Sequence, residues 1–71
     1  MADEKEQQRS AFRVRRGDRV CIGGCWREVA DTHIERYATG GSATVLVLRT
    51  GRRVRLPATA LVAVMPVDAS L

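Results

Sequence analysis

The chain has 71 residues, a net charge of +4 and 45% apolar residues. That length holds one domain, buries a modest share of its surface, and needs dense packing, a staple or a partner to be stable. The apolar content excludes broad disorder, and no apolar run is long enough for a membrane-spanning helix.

The opening stretch, MADEKEQQRS, is polar and carries no apolar periodicity, so residues 1–10 are expected to be a disordered tail and residues 11–71 the domain. It also lacks the apolar segment of a secretory signal. The expected compartment is therefore the cytoplasm, where thiols stay reduced.

In AFRVRRGDRVCI, Phe12 and Val14 alternate with Arg13 and Arg15, Gly17-Asp18 interrupts, and Val20 and Ile22 resume the alternation of a strand. IGGC then marks a turn. A two-residue Gly23-Gly24 turn would pair Val20 with Arg27. A three-residue loop pairs Val20 with Trp26 and Cys21 with Cys25, which keeps the large apolar residues together, and is the expected register.

The segment CWREVADTHIERYATGG has two readings. Trp26, Val29, Ala30, His33, Ile34 and Tyr37 recur at helical spacing, with Gly40-Gly41 as a stop. Against a helix, nothing between Gly24 and Trp26 caps it, and a Gly-Gly turn leads naturally into a returning strand. The favoured reading is a strand from Cys25 to about Asp31, then a loop or second strand piece to Tyr37.

SATVLVLRTGRRVRLP reads as a hairpin turning at Thr50-Gly51, with Val54 and Leu56 facing in and Arg53 and Arg55 facing out. Pro57 has no N–H to donate to a ladder and ends the strand. PATA has the length of one 3₁₀ turn, and LVAVM is a last strand before Pro66. The expected core is Val20, Trp26, Val29, Val54, Leu56 and Leu61.

In order, GDRVCI, TVLVLRTGRRVRLP and ATALVAVMP resemble the small bacterial SH3-like barrels, the group that includes the KOW and Tudor-like modules. The resemblance runs from about Phe12 to Val67. It implies an all-β fold, a small five-stranded SH3-like barrel. It carries no diagnostic functional motif, and Trp26 and Tyr37 alone do not make the aromatic cage of a Tudor-type reader. The richness in Arg, Ala, Val and Gly also resembles the composition of actinobacterial proteins and of their phages and plasmids.

Catalytic chemistry finds little to build on. The single histidine, His33, has no nucleophile and orienting acid in a recognisable arrangement, and Gly40-Gly41 lacks the lysine and helix start of a phosphate-cradling loop. Cys21 and Cys25, even with His33, fall short of a structural zinc set. The two cysteines are read as free thiols acting as small apolar residues, with a disulfide across the hairpin as the alternative. No catalytic site, metal or cofactor is expected.

The remaining chemical feature is arginine. All basic residues except Lys5 are arginines, and Arg49, Arg52, Arg53 and Arg55 cluster with no acid between Thr44 and Leu56. Arg13 and Arg15 belong to a second group with Arg16 and Arg19. Such a hairpin can follow a phosphate backbone, which makes nucleic acid the first expected partner of a non-enzymatic binding module. The alternative is a protein-interaction or self-associating adaptor. Val45–Leu48 and Leu61–Met65 are apolar at both strand parities, so one set must point away from a small core. Val45, Val47, Val62 and Val64 are the interface candidates.

Overall fold

The computed structural model describes residues 6–66. The chain folds into β1 (Gln7–Ser10), a 3₁₀ turn (Ala11–Arg13), β2 (Arg19–Ile22), β3 (Cys25–Arg36), β4 (Ser42–Leu48), β5 (Arg53–Pro57) and β6 (Leu61–Met65). All the pairings are antiparallel, in the order β1-β6-β2-β3-β4-β5, an open six-stranded sheet. The fold is all-β as expected, with six strands rather than five. The additional strand comes from the expected tail: residues 7–10 pair with β6, from Gln7 opposite Val64 to Ser10 opposite Leu61. Residues 1–5 of that tail and 67–71 of the expected domain lie outside the described residues.

Gly23 and Gly24 have φ of +59° and +84°. Two successive residues in the left-handed region make the two-residue mirror-image turn whose twist suits a hairpin. The register is therefore Val20 opposite Arg27, Cys21 opposite Trp26 and Ile22 opposite Cys25. The three-residue loop expected from the apolar pattern is corrected. Arg27 does share a face with Val20, but Val20 is buried while the arginine is exposed to solvent.

β3 is one long strand, neither a helix nor two pieces. Its register against β4 shifts between Val29, opposite Leu48, and Asp31, opposite Val47. Ala30 is the extra residue of a bulge, which exchanges the faces of the strand beyond it. Val29 and Thr32 thus share a face despite their odd spacing, opposite Leu48 and Leu46.

The core is Val14, Val20, Val29, Leu46, Leu48, Val62 and Val64, with Ile22, Val54 and Leu56 packed against it. Four expected core residues, Val20, Val29, Val54 and Leu56, belong to this assembly. Trp26 and Leu61 do not: they are 37% and 68% exposed. Trp26 follows Cys21 to the outer face through the corrected register. Leu61 lies at the outward parity of β6, beside Ala63 and Met65, while Val62 and Val64 point in.

Backbone hydrogen bonds tie the 3₁₀ turn to the β5–β6 connection. The Ala11 N–H donates to the Ala60 carbonyl at 2.8 Å and the Phe12 N–H to the Ala58 carbonyl at 3.1 Å. The connection is one hydrogen-bonded turn, Ala60 N–H to Pro57 carbonyl at 2.9 Å, and the Ala58 N–H reaches the Ser42 carbonyl at 3.2 Å.

Candidate functional site

The β4–β5 hairpin presents its arginines as the alternation requires. Val54 and Leu56 turn toward the core, so Arg53 and Arg55 turn away from it. Gly51, with φ of +93°, lets the chain reverse, and the Leu48 N–H closes the loop on the Arg52 carbonyl at 2.8 Å. Acids hold two of the four guanidinium groups. Arg49 Nη1 lies 3.5 Å from Glu28 Oε2, and Arg55 Nη2 lies 2.7 Å from Glu35 Oε1. Arg52 and Arg53 are exposed and form no ion pair among the described residues.

The Arg55–Glu35 pair also crosses the neighbouring strand. Val45 is opposite His33 on β3 and Arg55 on β5, and Glu35 is opposite Ala43. An ion pair from β3 to β5 therefore spans the β4 side chains between them. The apolar stems of such long side chains cover small residues beneath them, and Val45 is 4% exposed. This corrects the interface expected at Val45, Val47, Val62 and Val64. Val45, Val62 and Val64 are buried and Val47 is half-buried. The outward apolar side chains of β6 are Leu61, Ala63 and Met65 instead.

Arg13 and Arg15 sit elsewhere, in an open groove of about 950 Å³ lined by Arg9, Phe12, Arg13, Arg15, Arg16 and Asp18, with Gln7, Gln8 and Pro66 at its margins. None of the hairpin arginines lines it, so the six expected nucleic-acid contacts divide between two places. The groove's shape rests on Asp18, a buried carboxylate. Its Oδ2 accepts the Arg15 N–H at 2.9 Å and lies 3.5 Å from Arg9 Nη1. Its own N–H donates to the Arg15 carbonyl at 3.0 Å, and its carbonyl accepts the Val29 N–H at 2.8 Å. Residues 15–18 are thereby pinned to β3, and four arginines and one carboxylate line the groove.

Phe12 is the groove's aromatic member. It lies between Ala11 and Val14, both buried, and is itself 49% exposed, with the Arg13 guanidinium 6.0 Å from the ring centre. The alternation around Phe12 suggests a strand, whereas Phe12 sits in the 3₁₀ turn, and nothing in the sequence singles out Arg9 as the partner of Asp18. The adjacency of Phe12 to Arg13, Arg15 and Arg16, broken by Gly17-Asp18, was the available signal.

His33 is exposed on the outer face of β3. Among the described residues no three His, Cys, Asp or Glu side chains gather as a metal-binding group would. Cys21 and Cys25 are free thiols, and their register places them on opposite faces of the hairpin: Cys21 with Trp26, Cys25 with Ile22. No helix among the described residues is long and apolar enough to cross a membrane. No protein-family model, curated protein or solved structure matches the chain.

Proposed function

We propose that this protein is a non-enzymatic nucleic-acid-binding accessory module whose β4–β5 hairpin lies along a phosphate backbone. The observation that carries this reading is the pair of exposed guanidinium groups at Arg52 and Arg53, which have no ion pair among the described residues and are flanked by Arg49 and Arg55. The net charge of +4 adds a long-range attraction for polyanions. Arg49 and Arg55 already hold single carboxylates, so Arg52 and Arg53 carry the larger share of counterion release.

The fold reading belongs to the same proposal. Strands β2 to β6 run as a meander in which β6 returns beside β2, with a short hydrogen-bonded turn before the last strand. That order supports an SH3-like barrel of the KOW and Tudor-like kind, to which β1 adds an edge strand.

The test is the salt dependence of binding to a labelled DNA duplex, read by fluorescence anisotropy. Changing Arg52 and Arg53 together to Gln flattens the slope of log affinity against log salt by roughly two units, and weakens all sequences alike. The proposal fails if the parent shows no salt-dependent binding, or if the double variant keeps the parent's slope.

A further inference from the structure

The groove at the 3₁₀ turn combines two features that duplex binding does not require together. One is a half-exposed aromatic ring, Phe12. The other is a set of arginines lining the same groove, Arg9, Arg13, Arg15 and Arg16, with the Arg13 guanidinium 6.0 Å from the ring centre. A phosphate backbone alone asks for charge. A stacked base asks for an aromatic face, and in a duplex the base faces are already covered by their neighbours. Unpaired bases offer their faces, and proteins that track single strands join aromatic platforms to a basic groove.

The exposure of Phe12 is built in. The Ala11 and Phe12 N–H groups are tied to the carbonyls of Ala60 and Ala58, and the Val14 N–H returns to the Ala11 carbonyl at 3.1 Å. In a 3₁₀ turn, positions three apart lie one above the other. Ala11 and Val14 take the buried side, which leaves Phe12 and Arg13 outside. Phe12 cannot withdraw into the core without breaking those backbone bonds. Asp18 fixes the opposite wall through the Arg15 N–H and Arg9. The backbone that carries Phe12 and Arg15, and the Arg9 side chain, thus have protein partners before any ligand arrives.

We propose that the groove lined by Arg9, Phe12, Arg13, Arg15 and Arg16 binds a single-stranded nucleic-acid segment, with a base stacked on Phe12 and the flanking phosphates on the arginines. This rests on the nucleic-acid reading above and adds a second site with a different preference. The hairpin meets the backbone of a duplex, and the groove takes an unpaired strand.

The experiment uses the full chain, with fluorescein-labelled oligo(dT) and a labelled duplex of equal length as separate probes. Phe12→Ala weakens oligo(dT) binding roughly 5- to 150-fold, the loss of one stacked base, and leaves duplex affinity at the parent value. Phe12→Trp restores oligo(dT) binding, a rescue that a role confined to folding would not give at this exposed position. Joint replacement of Arg13 and Arg16 by Gln lowers the salt slope for oligo(dT), and replacement of Arg52 and Arg53 does so for the duplex. The groove inference is overturned, with the hairpin reading intact, if the parent binds duplex but Phe12→Ala leaves oligo(dT) binding unchanged. It is likewise overturned if polyglutamate displaces oligo(dT) equally well from parent and Phe12→Ala, since the groove is then a plain cationic surface for acidic chains. If the parent binds neither probe, both readings fall together.

Discussion

Leu46→Ala and Leu61→Ala delete the same atoms from two strands, and the structure assigns them opposite consequences. Leu46 is fully buried at the centre of β4, opposite Thr32 on β3 and Val54 on β5, inside the cluster that includes Val20, Val29 and Val64. Truncating such a leucine removes its transfer free energy and leaves a cavity, at a cost of about 2–5 kcal/mol. A core of this size rarely supplies more than about 3–5 kcal/mol in total, so the variant is close to unfolded or past it. Leu61 is 68% exposed on the outward parity of β6, and its truncation stays within about 0.5 kcal/mol. In a chain of this length each kcal/mol moves the melting temperature by about 4–8 °C. Far-ultraviolet circular dichroism during heating, supported by urea titration, therefore separates the two variants widely. Equal losses, or a larger loss for Leu61→Ala, would refute the assignment of faces on which the core rests.

The Gly-Gly turn makes a second contrast, since Gly24 has φ of +84° and no atom within 4 Å of an added Cβ. Gly24→Ala therefore costs only backbone strain, about 1–2 kcal/mol, whereas Gly23→Asn is close to neutral because Asn-Gly suits this turn; equal losses in thermal melts would count against the two-residue register. Asp18→Ala strips a charge-assisted acceptor from the Arg15 N–H and a partner from Arg9, and costs about 1.5–3 kcal/mol. Glu35→Ala breaks the exposed pair with Arg55 and costs at most about 1 kcal/mol, so urea midpoints that rank the two in reverse would overturn the structural role given to Asp18. Adding reductant leaves the melting temperature unchanged, because Cys21 and Cys25 lie on opposite faces of their hairpin; a drop would show a disulfide that the register opposes.

Reading the residues in order was enough for the all-β class, for a chain reversal at the glycine pair though not its register, for the turn at Thr50-Gly51, and for the outward arginines of β5. These features are local. Alternation in RVRL decides which side chains share a face before any partner is known, and a Gly pair marks a reversal wherever it packs. Three other features depended on neighbours. The bulge at Ala30 changes the parity of β3, so a strand imitated helical spacing between Trp26 and Tyr37; only the ladder with β4 reveals the skipped residue. The polar residues 7–10 have no apolar signal of their own and become β1 because β6 offers an edge to pair with. Val45 is buried on a strand flanked by the ion pair of Glu35 and Arg55, which are far apart in sequence. The candidate site divided in the same way. The hairpin arginines are contiguous and legible. The groove brings Arg9 and Asp18 together and exposes Phe12 because the 3₁₀ turn is anchored to Ala58 and Ala60. Contacts between residues so far apart in the chain leave no periodic trace, so the tertiary structure alone decided them.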